Sequence, residues 1–165
     1  MLVPKDAKWE GFLNSLTMFS DDFLEERGTV DMEEREQLWN ICIYVIKHKP
    51  ESVIRKFLEQ NPADICILSI TYAELTYGVE KSSAVEKNRL ALSLFLSSIE
   101  ILPYGENAAD EYGKIRAALE KSGTPIGGMD MLIASHAKAE NLILVTNNTK
   151  EFIRVPQIKL ENWVM

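Results

Sequence analysis

Thr124-Pro-Ile-Gly-Gly-Met-Asp130-Met-Leu-Ile-Ala-Ser-His136-Ala, then Asn141 and Leu142-Ile-Leu-Val145-Thr-Asn-Asn148, is the stretch that decides the fold. It reads as a loop, a short helix opened by an acid, and an apolar strand with polar residues at its exit. Pro125, Gly127 and Gly128 punctuate the chain just before the periodic part. Leu132, Ile133 and Ala137 follow at helical spacing, which puts Asp130 at one end of a buried helix. The unbroken apolar run from Leu142 to Val145 suits a strand covered on both faces. A carboxylate at a helix start beside the carboxyl end of a parallel strand is where α/β folds hold ligands. The same carboxylate also satisfies free amides and the helix dipole, so spacing alone leaves both readings open.

Working outward, Gly123-Thr-Pro-Ile-Gly-x-x-Asp130-x-Leu-Ile-Ala-x-His136-Ala is followed by Leu144-Val-Thr146-Asn-Asn148-Thr-x-Glu151-Phe. The pattern continues through Arg154-Val-Pro156 and Leu160-Glu-Asn-Trp163. This half of the chain resembles PIN-domain proteins, and most of all the VapC-type ribonuclease toxins of bacterial toxin–antitoxin pairs. Upstream, Ser69-Ile-Thr71-x-Ala-Glu74-Leu-x-Tyr77-Gly78 resembles the second acidic motif of the same family. Thr71 and Glu74 also have the spacing of a capping box, the local alternative for Glu74. Beyond Thr146, the resemblance offers Asn148 and Glu151 for the last corner of the site. A plain surface acid is the other reading of Glu151.

The region before the domain departs from that pattern. VapC proteins carry an apolar strand and then Leu-Asp-Thr-Asn. Here the chain reads Glu33-Glu-Arg-Glu-Gln-Leu38-Trp39-Asn40, so Asn40 matches and the preceding Asp is absent. The segment Asn40–Ile46 is ambiguous by composition, and the resemblance decides for helix. Val53, Ile54, Phe57 and Leu58 form a helical stripe, and Ile65–Ile70 reads as a strand. Helices over residues 84–99 and 107–121 flank a short strand near residues 100–103. Asp110 and Glu111 read as solvated, His136 as a packed or edge histidine, and His48 as exposed.

Residues 1–37 form an arm before a domain at residues 38–165. Trp9, Phe12, Leu13 and Leu16 recur with helical spacing, and Phe19 and Phe23 extend the aromatic series. Asp21, Asp22, Glu25, Glu26, Asp31, Glu33, Glu34 and Glu36 stand against only Arg27 and Arg35, so most of the net charge of −7 lies here. Large aromatics with too little chain to bury them pack on something else. Trp9-Glu-Gly-Phe12, Phe19-Ser-Asp-Asp-Phe23 and Glu25-Glu-Arg27 resemble the C-terminal tail of VapB-type antitoxins. That resemblance implies an inhibitory arm of Trp9, Phe12, Phe19 and Phe23, with Arg27 reaching among the active-site acids.

Bulk properties exclude other classes. At 165 residues with 46 % hydrophobic content the chain can build one ordinary core. No apolar run reaches the ~20 residues of a membrane span, and no secretory signal is visible, so a cytoplasmic location is expected. Cys42 and Cys66 lie in apolar runs and read as buried thiols, with no zinc-ligand spacing. A near-neutral body cannot bind RNA through a strong basic field. No Gly-x-Ser-x-Gly motif supports a hydrolase of the serine type.

The expectation is therefore an α/β, PIN-like, mainly parallel sheet flanked by helices, with an N-terminal helical or extended arm. By resemblance, Glu74, Asp130 and Glu151 are catalytic; with Asn148 they hold Mg²⁺ or Mn²⁺, and Asn40 and Thr146 support them. Hard oxygen donors without Cys or His suit those ions. The resemblance further implies an endoribonuclease acting on RNA of the tRNA or rRNA class. Its expected partners are a VapB-type antitoxin, or its own arm, and a second copy in a homodimer. The absent first Asp leaves a second reading, a silent remnant acting only through protein contacts.

Overall fold

The computed structural model describes residues 9–24, 40–47 and 50–164. In chain order the elements are α1 (Glu10–Leu16), α2 (Asn40–Ile46), α3 (Glu51–Glu59), β1 (Cys66–Leu68), α4 (Ser69–Lys81) and α5 (Val85–Leu96). There follow β2 (Glu100–Leu102), α6 (Glu106–Ser122), α7 (Gly128–Ala139), β3 (Ile143–Val145), α8 (Thr149–Phe152) and β4 (Lys159–Glu161). The strands pair in parallel, β1 with β2 and β3 with β4, each pair joined by helices. The α/β expectation holds, in the form of two short parallel sheets among the described residues.

Local chemistry sets the boundaries. Pro50 precedes α3 with extended backbone, a stereochemistry that suits a helix start. Gly123 ends α6 at φ +68, and the Gly123 and Thr124 amides donate back to Glu120 and Leu119. Only a residue tolerant of left-handed backbone closes a helix this way. The loop that follows delivers the chain to α7. At the far end of α7, Asn141 takes the same left-handed region (φ 56) and turns directly into β3.

Two apolar clusters fill the interior. The first joins Trp9, Phe12, Leu16 and Phe23 of the arm to Val45, Phe57, Leu75, Phe95 and Trp163. The second gathers Ile115 and Leu119 of α6 with Ile133 and Ala137 of α7, Phe152 and Val155. Glu111 and Lys138 add an ion pair at 3.2 Å between α6 and α7. Glu111 is thus partnered rather than merely solvated.

The arm is part of the first cluster. Phe12 stacks on Phe57 at 4.8 Å and tilts against Phe95 at 4.9 Å, while Trp9 meets Phe57 at 4.8 Å. Leu13, expected on the apolar stripe, is instead 38 % exposed, because the buried face of this short helix is filled by Phe12, Ser15 and Leu16. A polar clasp fastens the arm at Ser20 and Asp22. The Ser20 amide donates to Asn88 Oδ1 (2.8 Å), and Asn88 Nδ2 donates to the hydroxyls of Ser20 and Ser82 (2.7 and 2.8 Å). Asp22 accepts from the Ser83 amide at 2.7 Å and from Ser20 Oγ at 2.6 Å, which holds its carboxyl down at about 2. Arg27 and the altered Leu38-Trp39 segment lie outside the described residues, as does His48.

Three expectations change. The strand ends at Leu68 and α4 starts at Ser69, so Thr71 is already helical and no capping box forms with Glu74. The local alternative for Glu74 therefore falls away. Strand β3 is not covered on both faces: Ile143 is 53 % exposed. Finally, β1 and β3 belong to separate pairs rather than to one continuous sheet of described strands.

Candidate active site

Asp130 occupies the first turn of α7 and is 5 % exposed. Its carboxylate turns back toward the start of its own helix: a Cβ added at Gly127 would lie 3.4 Å from Oδ2. Gly127 therefore leaves the space into which the carboxylate leans.

Glu74 sits half-buried in α4, the helix that leaves β1 without an intervening loop. Helices α4 and α7 pack on each other, and α7 also packs on β1. Tyr104, just after β2, ties the two helices together. Its amide donates to Ser69 Oγ at 3.1 Å, and its hydroxyl meets Ser135 Oγ at 3.0 Å and donates to the Ala108 carbonyl at 3.1 Å. Sequence reasoning passed over Tyr104, since no motif marks a tyrosine that acts through its backbone and hydroxyl at once.

The third element is the exit of β3. Thr146 is buried, its amide donates to the Glu161 carbonyl at 2.9 Å, and its Oγ1 accepts the Asn148 amide at 3.1 Å. Asn148 then precedes α8, which packs on α7. Its buried Nδ2 has no hydrogen-bond partner among the described residues, an arrangement that buried amides avoid unless another group completes them. Neighbouring Asn147 donates to the Tyr44 hydroxyl at 2.9 Å, linking this loop to α2, which Asn40 opens. Of Asn40 the backbone alone is described.

Glu151 in α8 is engaged elsewhere. Its Oε2 pairs with Arg154 Nη1 at 2.9 Å, and the same nitrogen donates to the Pro125 carbonyl at 3.2 Å. Arg154 therefore clamps Glu151 to the loop that leads to Asp130. The arginine three residues downstream was visible in the sequence, but its reach across to Pro125 was not. Among the described residues no three His, Cys, Asp or Glu side chains come together as a ready metal cluster.

His136 is fully buried and meets Tyr104 edge-on at 5.3 Å. Burial pushes its pKa down, opposed in part by Glu140 and by the nearby Pro103 carbonyl. Neither ring nitrogen reaches hydrogen-bond geometry with a described group, so the carbonyl acts on it only electrostatically. The ring is a packed histidine, as its spacing from Asp130 implied.

The family model for the PIN domain matches residues 40–158. The chain belongs to the PIN-domain family. Within it the VapC branch is clear. The tRNA(fMet)-specific endonuclease VapC of Salmonella typhimurium is 47 % identical over 124 residues, covering 75 % of this chain and 93 % of that protein. Ribonuclease VapC2 of Haemophilus influenzae is 48 % identical over 125 residues, covering 76 % and 94 %. Among solved structures, the DNA-bound VapBC of Salmonella typhimurium aligns with a TM-score of 0.69 at 48 % identity, covering 74 % of this chain and 92 % of that one. The PIN-domain match opens at Asn40, where α2 begins, and it spans the helices that carry Glu74, Asp130 and Glu151.

Proposed function

We propose that the chain is a metal-dependent endoribonuclease of the VapC type that hydrolyses RNA phosphodiester bonds. The observation that carries this reading is the joining of α4 and α7 through Tyr104, which anchors the helices bearing Glu74 and Asp130 to each other. Mg²⁺ commonly keeps several waters and takes only one or two carboxylates, so two acids of this kind fit it by donor chemistry. Mn²⁺ accepts the same hard oxygen donors. Such an ion, when bound, would neutralise these two acids and stabilise charge on the scissile phosphate.

The chain's own residues supply the rest. Glu74 and Asp130 hold the ion. The buried Asn148 amide, whose Nδ2 is directed at no described group, orients a ligand from the β3 exit, and Thr146 fixes the turn that presents it. Asn40 supports the site from the start of α2. Glu151 contributes when its pairing with Arg154 opens. The substrate is RNA of the tRNA or rRNA class, and a second copy completes a homodimer.

The domain runs from residue 38 to 165, and residues 1–37 restrain it in cis as a VapB-like tail does in trans, with Arg27 directed at the acids. Support comes from the seating of Trp9, Phe12 and Phe23 in the first cluster. A flexible tether holds such a segment at an effective concentration on the order of millimolar.

The test is cleavage of a tRNA pool with Mg²⁺ or Mn²⁺, beside calorimetry of metal binding. Glu74→Ala and Asp130→Ala each abolish both signals while leaving the circular dichroism unchanged. Metal binding that survives both substitutions defeats the assignment. Absent cleavage with intact metal binding, in the chain and in an Arg27→Ala variant, favours the silent remnant.

A further inference from the structure

A cavity of about 450 Å³ lies between the two parallel sheets. Its walls include every residue of β1 and every residue of β3, the two strands that each lack a second neighbour among the described residues. Side chains from both apolar clusters close it, with Val45, Phe57 and Phe95 from the first and Ile133 and Ala137 from the second. A strand with one paired edge presents a row of unpaired amides and carbonyls on the other, a template for another backbone. A gap walled by two such edges and by apolar side chains matches an extended peptide better than a compact ligand, because only a peptide satisfies both rows.

We propose that this gap is a strand-acceptor slot, which takes an extended apolar segment of another polypeptide and joins the two sheets into one of order β2–β1–guest–β3–β4. A strand buried on both faces must be apolar throughout. The chain's own connection into α2 does not meet that need. Residues 25–39 carry Glu25, Glu26, Arg27, Asp31, Glu33, Glu34, Arg35 and Glu36, and no five consecutive residues among them are uncharged. The charged residues that line the slot among the described residues, Asp64 and Glu161, are both acidic. Asp64 precedes β1 and Glu161 ends β4, so the guest that fits has about five β-branched or aliphatic residues flanked by a basic residue at each end. The slot rests on strand geometry alone, so it stands or falls apart from the nuclease reading.

Cys66, on β1 and facing the slot, is a built-in reporter. The full chain is mixed with the blocked peptide Lys-Val-Ile-Val-Ile-Val-Lys, and separately with the same peptide carrying Pro at its central position. Alkylation of Cys66 is followed by mass spectrometry and amide exchange by residue. The first peptide slows Cys66 alkylation at least tenfold and protects amides across residues 66–68 and 143–145. The Pro peptide, which lacks a central donor, does neither. Equal protection by both peptides means a greasy surface blind to backbone and overturns the proposal. So does strong protection of both strands before any peptide is added, whether it comes from the chain itself or from a second copy at higher concentration. Absence of any effect, with α6 amides still protected as a mark of the folded state, overturns it too.

Discussion

The two apolar clusters are built on different plans. The first is aromatic and draws on the whole chain, from Trp9 through Phe57 and Phe95 to Trp163. The second is aliphatic, made of Ile, Leu, Val and Ala around a single phenylalanine, and it centres on the α6–α7 pair. Rings fill the first cluster, where α1 packs on α5 through Phe12 and Phe95, whereas small side chains let the long helices α6 and α7 approach closely. The arm belongs to the aromatic cluster, and Asp130 sits on a helix of the aliphatic one. The arm and Asp130 thus lie against different clusters, while α4, which carries Glu74, gives Leu75 and Val79 to the first.

The sharpest way to break this contrast is Phe12→Ala. Phe12 is fully buried against Phe57 and Phe95, and such truncations remove about 3 to 5 kcal/mol. Denaturant unfolding followed by tryptophan fluorescence reads the loss, since Trp9 and Trp163 both report on this cluster. A single shifted transition makes the clusters one cooperative unit. Two transitions, with α6 and α7 unchanged, make them separate.

Asn88→Ala tests the clasp without touching the rings. The change leaves the Ser20 amide without its acceptor, while Ser82 Oγ keeps its bond to the Val79 carbonyl, and a lost partner of this kind is worth roughly 1 to 3 kcal/mol. The expected signature is faster proteolysis within residues 9–24 at little change in α6 protection. If the arm restrains cleavage, RNA turnover rises in parallel; a looser arm with unchanged turnover removes the cis restraint.

The pH dependence sharpens the second cluster's side. Burial holds the folded His136 below its ordinary value of 6.5. The unfolded chain therefore takes up a proton that the folded one resists. Stability from the neutral ring is complete above pH 6.5 and is lost progressively as pH falls toward the folded value. Unfolding midpoints measured between pH 7.5 and 5 should fall, and His136→Gln should flatten the fall.

The smallest effect is Gly127→Ala. The backbone there (φ −56, ψ 149) suits alanine, and the new methyl would meet Asp130 Oδ2 at 3.4 Å. A Gly-to-Ala change at a compatible position gains about 0.4 to 1 kcal/mol through the unfolded state. Stability should therefore hold or rise slightly while metal affinity measured by calorimetry drops. A drop in both would mean that Gly127 serves the fold rather than the carboxylate's surroundings.

Much of this was legible in the chain itself. Helical spacing around Leu132, Ile133 and Ala137 located α7, and the Gly-Pro punctuation before it put Asp130 in the first turn. Periodicity likewise located α6 and α5, because a helix with one apolar stripe writes its period directly into the residue order. Strand content was harder. Runs of three residues carry too little pattern to fix an end, so the boundary at Leu68 moved and the capping reading of Thr71 and Glu74 fell with it. Exposure of Ile143 had no local signal at all, since it depends on what lies across the strand.

By itself the order of residues determined which helices form, where Asp130 stands on its helix, and the PIN-like likeness that the family match bears out. Tertiary structure alone decided that Arg154 clamps Glu151 to Pro125, that Tyr104 ties α4 to α7, and that β1 and β3 face a common gap. The division has one physical cause. Helical periodicity arises from hydrogen bonds four residues apart and is visible along the chain, while these contacts join groups from 29 to 35 residues apart. Their pairing follows from how the packed elements are oriented, which no local pattern encodes.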